Sequence, residues 1–138
     1  MSLKATLIEA AVQVRDHAYA PYSRFYVGAA VQTRSGEIHT GTNVENASYG
    51  LTICAERSAI SAAIAHGAQS GDITQVAIAI AAKHNGTPCG ACRQVISEFA
   101  SPDCQIVIMN LTSNTVTEYS LRTLLPDAFS GHSLSNQG

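Results

Sequence analysis

Cys54-Ala55-Glu56 and, one predicted strand later, Pro88-Cys89-Gly90-Ala91-Cys92 decide how this chain is read. Three cysteines are placed to meet, one from the first segment and two from the second, and Glu56 stands two positions after the first of them. Three thiolates leave the fourth position of a tetrahedral zinc ion open, which marks a catalytic rather than a structural site. Zinc lowers the pKa of a bound water far enough to supply hydroxide near neutral pH. A carboxylate beside that water can carry its protons. The competing structural reading is a zinc ribbon or knuckle. It needs a fourth ligand, and Cys104 is the only cysteine left over. Cys104 opens an apolar strand, where a buried, inert thiol is the commoner role. Of the five histidines only His84 is close to a ligand in sequence, and it reads as a plain loop residue.

The two segments are expected at helix starts. Thr52 is the predicted N-cap of a helix over Ile53–His66, and Gly67 is its natural stop. Cys54 and Glu56 then fall in the first turn, where free N–H groups and the positive end of the helix dipole favour thiolate and carboxylate. Ala59, Ile60, Ala63 and Ile64 give that helix a face suited to packing on a sheet. A second helix, over Gly90–Phe99, places Cys89 and Cys92 at its own N-terminus.

The rest of the chain supplies a sheet. Leu7, Ala10, Ala11 and Val14 recur at helical spacing within a predicted helix over Leu3–Tyr19. Alternating Val27, Ala29 and Val31 predict a strand over Phe25–Thr33, turned at Ser35-Gly36 into a returning strand over Glu37–Val44. The apolar runs Val76–Ala82 and Gln105–Asn110 look like strands covered on both faces. A short strand over Val116–Tyr119 and a short helix over Leu121–Leu125 follow, and the Ser-, Gly- and Asn-rich tail after Phe129 is expected to be loose. Helices alternating with strands predict an α/β fold, a mixed sheet with helices on its faces. There are no internal repeats and no linker, so one domain over 1–138 is expected.

Composition narrows the partners. A net charge of −2 and a pI near 6.2 argue against a nucleic-acid footprint. No apolar stretch approaches a membrane span, and Glu9 interrupts the only candidate for a secretory signal. A cytoplasmic location is expected, and there cysteines read as ligands before disulfides. Charged residues are only 13% of the chain, so much of its surface is expected to be covered by copies of itself. Three thiolates on Zn²⁺ carry a formal charge of −1, which has to be offset for a bound water to ionise. Arg57 directly follows Glu56 and Arg93 directly follows Cys92, so both guanidinium groups are expected to donate to thiolate sulfur. Asn43 and Glu45, two apart near a strand end, are expected to share a face. A carboxylate there accepts from a sugar hydroxyl and repels a 3′-phosphate, which favours a free nucleoside.

C-x-E followed by P-C-x-x-C is the known signature of zinc-dependent deaminases. From Tyr22 to Phe129 the chain resembles the small homotetrameric cytidine deaminases of nucleoside salvage. The landmarks are Tyr22-Ser23-Arg24-Phe25, the run from Thr42 to Gly50, Cys54-Ala55-Glu56-Arg57, Pro88-Cys89-Gly90-Ala91-Cys92-Arg93-Gln94 and the run from Leu124 to Phe129. One departure is Tyr26, where the family usually has proline. The resemblance implies a three-layer fold with a five-stranded mixed sheet. It implies one zinc per chain on Cys54, Cys89 and Cys92, with Glu56 as the proton shuttle. It implies substrate contacts from Phe25, Asn43, Glu45 and Ala55, and from Ala47, Tyr49 and Phe129 reaching into neighbouring subunits' pockets. The implied reaction is hydrolysis of cytidine and deoxycytidine to the uridines and ammonia. The alternatives are a deaminase of a related aminopyrimidine nucleoside such as blasticidin S and a non-catalytic zinc- or nucleic-acid-binding module.

Overall fold

The computed structural model describes residues 3–131 and 134. Helix α1 (Leu3–Val14) leads through a 3₁₀ turn to strands β1 (Gly28–Thr33) and β2 (Ile38–Thr42). Helix α2 (Ala55–Ala65), strand β3 (Ile73–Ile80), helix α3 (Gly90–Phe99), strand β4 (Ala100–Asn110), strand β5 (Thr115–Ser120) and helix α4 (Leu121–Leu124) follow. The five strands form one sheet in the order β2-β1-β3-β4-β5. Only β3 and β4 pair in parallel, and the other neighbours are antiparallel. A parallel pair needs a crossover longer than a hairpin turn, and α3 supplies it. The expected loose tail lies for the most part outside the described residues.

Strand alternation sorts the side chains into two unlike faces. Val76, Ile78 and Ile80 of β3 and Ile106 and Ile108 of β4 point to one side, where they pack on Ala59, Ile60 and Ala63 of α2, Ile96 of α3 and Leu121 and Leu124 of α4. Ala30, Ala77 and Ala79 point to the other side and meet Leu7 and Ala11 of α1. The large face therefore takes three helices and the alanine face takes one, which gives three layers. Ile64, expected on the buried stripe of α2, is 37% exposed instead. Gly67 closes α2 as expected: at φ +106° it donates to Ile64 O while Ala68 N donates to Ala63 O, the paired bonds of a Schellman stop.

Several boundaries differ from the sequence reading for identifiable reasons. Helix α1 ends at Val14, and Tyr19 bridges to Val44 instead of continuing the helix. Strand β1 begins at Gly28 rather than Phe25. The Asn43 side chain occupies the backbone just before it, accepting from Val27 N (3.0 Å) and donating to Phe25 O (2.8 Å). Strands β3 and β4 start earlier than expected, joined by an Ile73–Ala100 pair beyond a register shift. Pro102 and Asp103 within β4 hide that extension from a hydropathy reading.

The alanine face also dictates how closely α1 approaches. A Cβ on Gly28 would lie 2.1 Å from Ala11 O and 2.8 Å from Arg15 N, both backbone atoms that have little room to shift. Gly28→Ala should therefore destabilise the fold by about 1–3 kcal/mol or more, as overpacking does. Gly50→Ala, where a Cβ meets nothing within 4 Å, should melt close to the parent. Thermal unfolding of the two variants checks this.

Candidate active site

In a sheet with helices on its faces, ligands collect outside the carboxyl ends of the parallel strands. Strand β3 ends at Ile80, and the chain then loops through Gly86, Thr87 and the buried Pro88 to Cys89. Cys89 is the N-cap of α3, and its Sγ accepts from Cys92 N at 3.4 Å. Cys54 is likewise the N-cap of α2. The predicted cap, Thr52, lies outside the helix and its hydroxyl accepts from Asn46 N instead. Two helix N-termini are thus aimed at one point. The Sγ atoms of Cys54, Cys89 and Cys92 lie within 4.8 Å of one another, and Cys104 is not among them. Cys104 is fully buried and its thiol is pushed up to about 12 by that burial.

A cavity of about 280 Å³ opens beside the sulfurs. Ile78, Ile80 and Ile108 line it, as do Phe25, Asn43, Ala55 and Glu56. Glu56, in the first turn of α2, is 6% exposed. Burial raises its carboxyl above the usual range, and the negative charge of Cys54 adds to the effect. Hydrogen bonding from the Cys92 thiol, followed by Arg57, holds Cys54 down to about 5, and the same sharing with Cys54 together with burial pushes Cys92 up. Soft, close-set thiols of this kind suit zinc, and three of them leave a coordination position facing the cavity. Zinc is the cofactor this donor set fits, one per chain.

The two arginines behave differently. Arg57 Nη2 donates to Cys54 Sγ at 3.4 Å, as expected. Arg93 does not reach a sulfur. Its Nε donates to Pro88 O (2.7 Å), Nη1 to Leu124 O (2.7 Å) and Nη2 to Thr87 Oγ1 (2.6 Å). Its guanidinium instead ties the loop that delivers Cys89 to the end of α4. Asn110, which the sequence reading passed over as a strand end, holds the other end of that loop. It is 1% exposed, accepts from Ala82 N and Thr112 N, and donates to Ala82 O and Asn85 Oδ1. A lone amide closing the apolar run Ile106–Met109 was the available signal.

The other candidate residues are spread more widely. Asn43 lines the cavity, and past the end of β2 at Thr42 the bridges from Val44 to Tyr19 and Ile53 keep the chain extended as far as Glu45. Glu45 turns toward Tyr22 and Ser23, in an adjoining depression that Asn46, Tyr49 and Thr52 complete. Tyr49 is 77% exposed, with its ring edge-on to Tyr22 at 6.2 Å, and Ala47 is exposed beside it. Phe129 is 59% exposed and lines a different cavity, near Ser97 and Arg122. Its carbonyl accepts from Gln94 Nε2 at 2.9 Å.

The chain is similar to known proteins over most of its length. The family model described as "Cytidine and deoxycytidylate deaminase zinc-binding region" matches residues 1–108, and the chain belongs to that family. A cytidine deaminase from Halalkalibacterium halodurans is 42% identical over 130 residues, covering 94% of this chain and 96% of its own. One from Sporosarcina psychrophila is 42% identical over 131 residues, covering 94% and 93%. A crystal structure of cytidine deaminase from Burkholderia pseudomallei superposes with a TM-score of 0.87 at 46% identity, covering 94% of this chain and 100% of that one.

Two expectations follow for the metal. Purified Cys54→Ser, Cys89→Ser and Cys92→Ser should each lose most of their zinc, whereas Cys104→Ser should keep about one ion per chain by elemental analysis. Arg57→Ala removes a cause that holds the Cys54 thiol low. Protons then compete with the metal for that sulfur at higher pH. Acid-induced zinc release to a colorimetric chelator should begin at a higher pH in Arg57→Ala than in the parent.

Proposed function

We propose that this chain hydrolyses cytidine and deoxycytidine to uridine and deoxyuridine, releasing ammonia. The observation that carries this reading is a single buried carboxyl, Glu56, raised in pKa and set in one cavity with three converging thiols. Held by Cys54, Cys89 and Cys92, zinc supplies the Lewis acidity that lets water act as a nucleophile near neutral pH. Glu56 takes the proton of the attacking water and delivers it to N3 of the pyrimidine as the C4–O bond forms. It then takes the proton of the new 4-hydroxyl and delivers it to the 4-amino group, and the C4–N bond breaks as ammonia leaves and the 4-carbonyl forms. A carboxyl whose pKa is lifted by burial is suited to both giving and taking protons. Arg57 offsets the negative charge of the thiolates through Cys54, and Arg93 keeps Pro88 and Thr87 in place beside the substrate.

Phe25 at the cavity mouth is suited to lie against the pyrimidine, while the buried Ala55 backbone and Asn43 border the space for the nucleoside. Glu45 faces the sugar side and disfavours a phosphate there, which suits a free nucleoside. The active unit is a homotetramer with shared sites. Val44, Tyr49, Leu51 and Ile53 are exposed apolar side chains in one stretch of chain, and Phe129 is exposed as well. Ala47, Tyr49 and Phe129 of each chain then complete neighbouring pockets, which exclude water once the subunits assemble. Nucleoside salvage in the cytoplasm is the matching role. No helix among the described residues is long and apolar enough to cross a membrane.

Glu56→Gln should keep zinc and nucleoside binding while turnover falls by about 10²–10⁴-fold, the usual contribution of a general acid–base group. Near-normal turnover would remove Glu56 from the chemistry. Sharing of sites is tested by mixing Glu56→Ala chains with Phe129→Ala chains under conditions of subunit exchange. Hybrid pockets with both residues intact should lift activity above either parent, and no rise despite proven exchange would show that each site is built from one chain.

A further inference from the structure

The segment from Ala20 to Val27 enters the site without regular structure, and Phe25 is the residue it presents to the cavity. Its path is unusual. Arg24 sits at φ +57°, a left-handed conformation that few non-glycine residues adopt, while its N–H closes a turn onto Ala20 O at 2.9 Å. Something has to hold a turn of this kind, since a left-handed residue of this type costs free energy that its surroundings must offset.

One carboxylate and one hydroxyl hold it. Glu45 Oε1 accepts from the backbone N–H groups of Tyr22 and Ser23, both at 3.1 Å. Glu45 Oε2 accepts from Ser23 Oγ in a short contact, and Ser23 Oγ in turn accepts from Phe25 N at 3.0 Å. The hydroxyl therefore relays the carboxylate to the backbone of Phe25 across the strained residue. Behind it, the Asn43 side chain fixes Phe25 O.

We propose that Ser23 is a positioning residue for the substrate: its hydroxyl, clamped by Glu45, sets the Phe25 ring at the mouth of the cavity and so governs nucleoside affinity rather than the chemical step. This rests on the proposed deamination. Ser23 stood in the sequence only as part of a family landmark, and its bond to Glu45 was not visible there, since the two lie on separate segments.

The clamp requires an ionised Glu45, because a protonated carboxyl would lose acceptor capacity toward the three donors. The hydrogen bond from Ser23 is the main cause that holds Glu45 below its ordinary value. The titratable side chains lining its depression are Tyr22 and Tyr49, with no lysine, arginine or histidine. A depressed carboxyl keeps the clamp closed above its ordinary pKa and releases it as pH falls through the lowered value. Removing the Ser23 hydroxyl should move that release to higher pH.

The test compares the parent, Ser23→Ala and Ser23→Thr as zinc-loaded protein. Ser23→Ala should raise KM for cytidine about tenfold with kcat nearly unchanged, the loss expected for one hydrogen bond to a charged group. Its KM should also begin to climb at a higher pH than the parent's on acidification. Ser23→Thr, which keeps the hydroxyl, should restore both. A readout independent of turnover is tryptic cleavage after Arg24, which should speed up in Ser23→Ala while cleavage after Arg34 stays constant. Unchanged KM and unchanged cleavage in folded, zinc-loaded Ser23→Ala would overturn the proposal. So would a fall in kcat at constant KM. If the parent itself leaves cytidine untouched, the deamination reading fails, and cleavage after Arg24 still decides whether Ser23 sets the turn.

Discussion

Two helix N-termini pointing at one spot beyond the carboxyl end of β3 are the constraint on which the rest of this molecule depends. Each carries a cysteine as its N-cap, Cys54 on α2 and Cys89 on α3. An N-cap sulfur lies where backbone N–H groups and the helix dipole both favour negative charge. The parallel pairing of β3 with β4 forces α3 to cross over the sheet, which brings its first turn back to the same edge that α2 reaches from the β2 side. Cys92 in the first turn of α3 and Glu56 in the first turn of α2 then complete the reactive centre. Ligands carried on helices are held more precisely than ligands on loops, and the chemistry proposed for Glu56 needs that precision.

What the helices do not fix is the approach to the site, and polar side chains do that work. Arg93 and Asn110 grip the chain between β3 and α3 at its two ends, each through several backbone or side-chain oxygens. Asn43, Ser23 and Glu45 grip the segment that brings Phe25 to the opposite wall. The cavity is therefore bounded by two stretches of irregular chain, each pinned by groups that are themselves seated on or beside the sheet. Loops pinned in this way can supply binding groups without paying the full ordering entropy on each encounter.

Much of this was legible in the sequence where a local rule applies. Apolar spacing marked α1 and one face of α2, continuous apolar runs marked β3 and β4, Gly67 marked the end of α2, and the cysteine spacing pointed to the metal. Legibility failed where the cause is tertiary. Thr52 outranks cysteine as a cap by propensity, yet the chain turns into helix only after Cys54. Arg93 stands next to a ligand in sequence, but its guanidinium is drawn to Pro88 O and Leu124 O, and adjacency says nothing about which carbonyls are left unpaired nearby. Glu45 stands two residues from Asn43, but its carboxylate is taken up by Tyr22 and Ser23, which lie on a distant stretch of sequence. The order of the strands, with β1 between β2 and β3, lay beyond any pattern along the chain.

The most direct measurement is an ultraviolet absorbance assay of the zinc-loaded protein on cytidine, with released ammonia quantified in parallel and adenosine and single-stranded DNA as controls. A site of this geometry should convert cytidine to uridine with one ammonia per nucleoside and leave both controls unchanged. Fully zinc-loaded, folded protein that releases no ammonia from cytidine would contradict the assignment of Glu56 and its three thiols to nucleoside deamination.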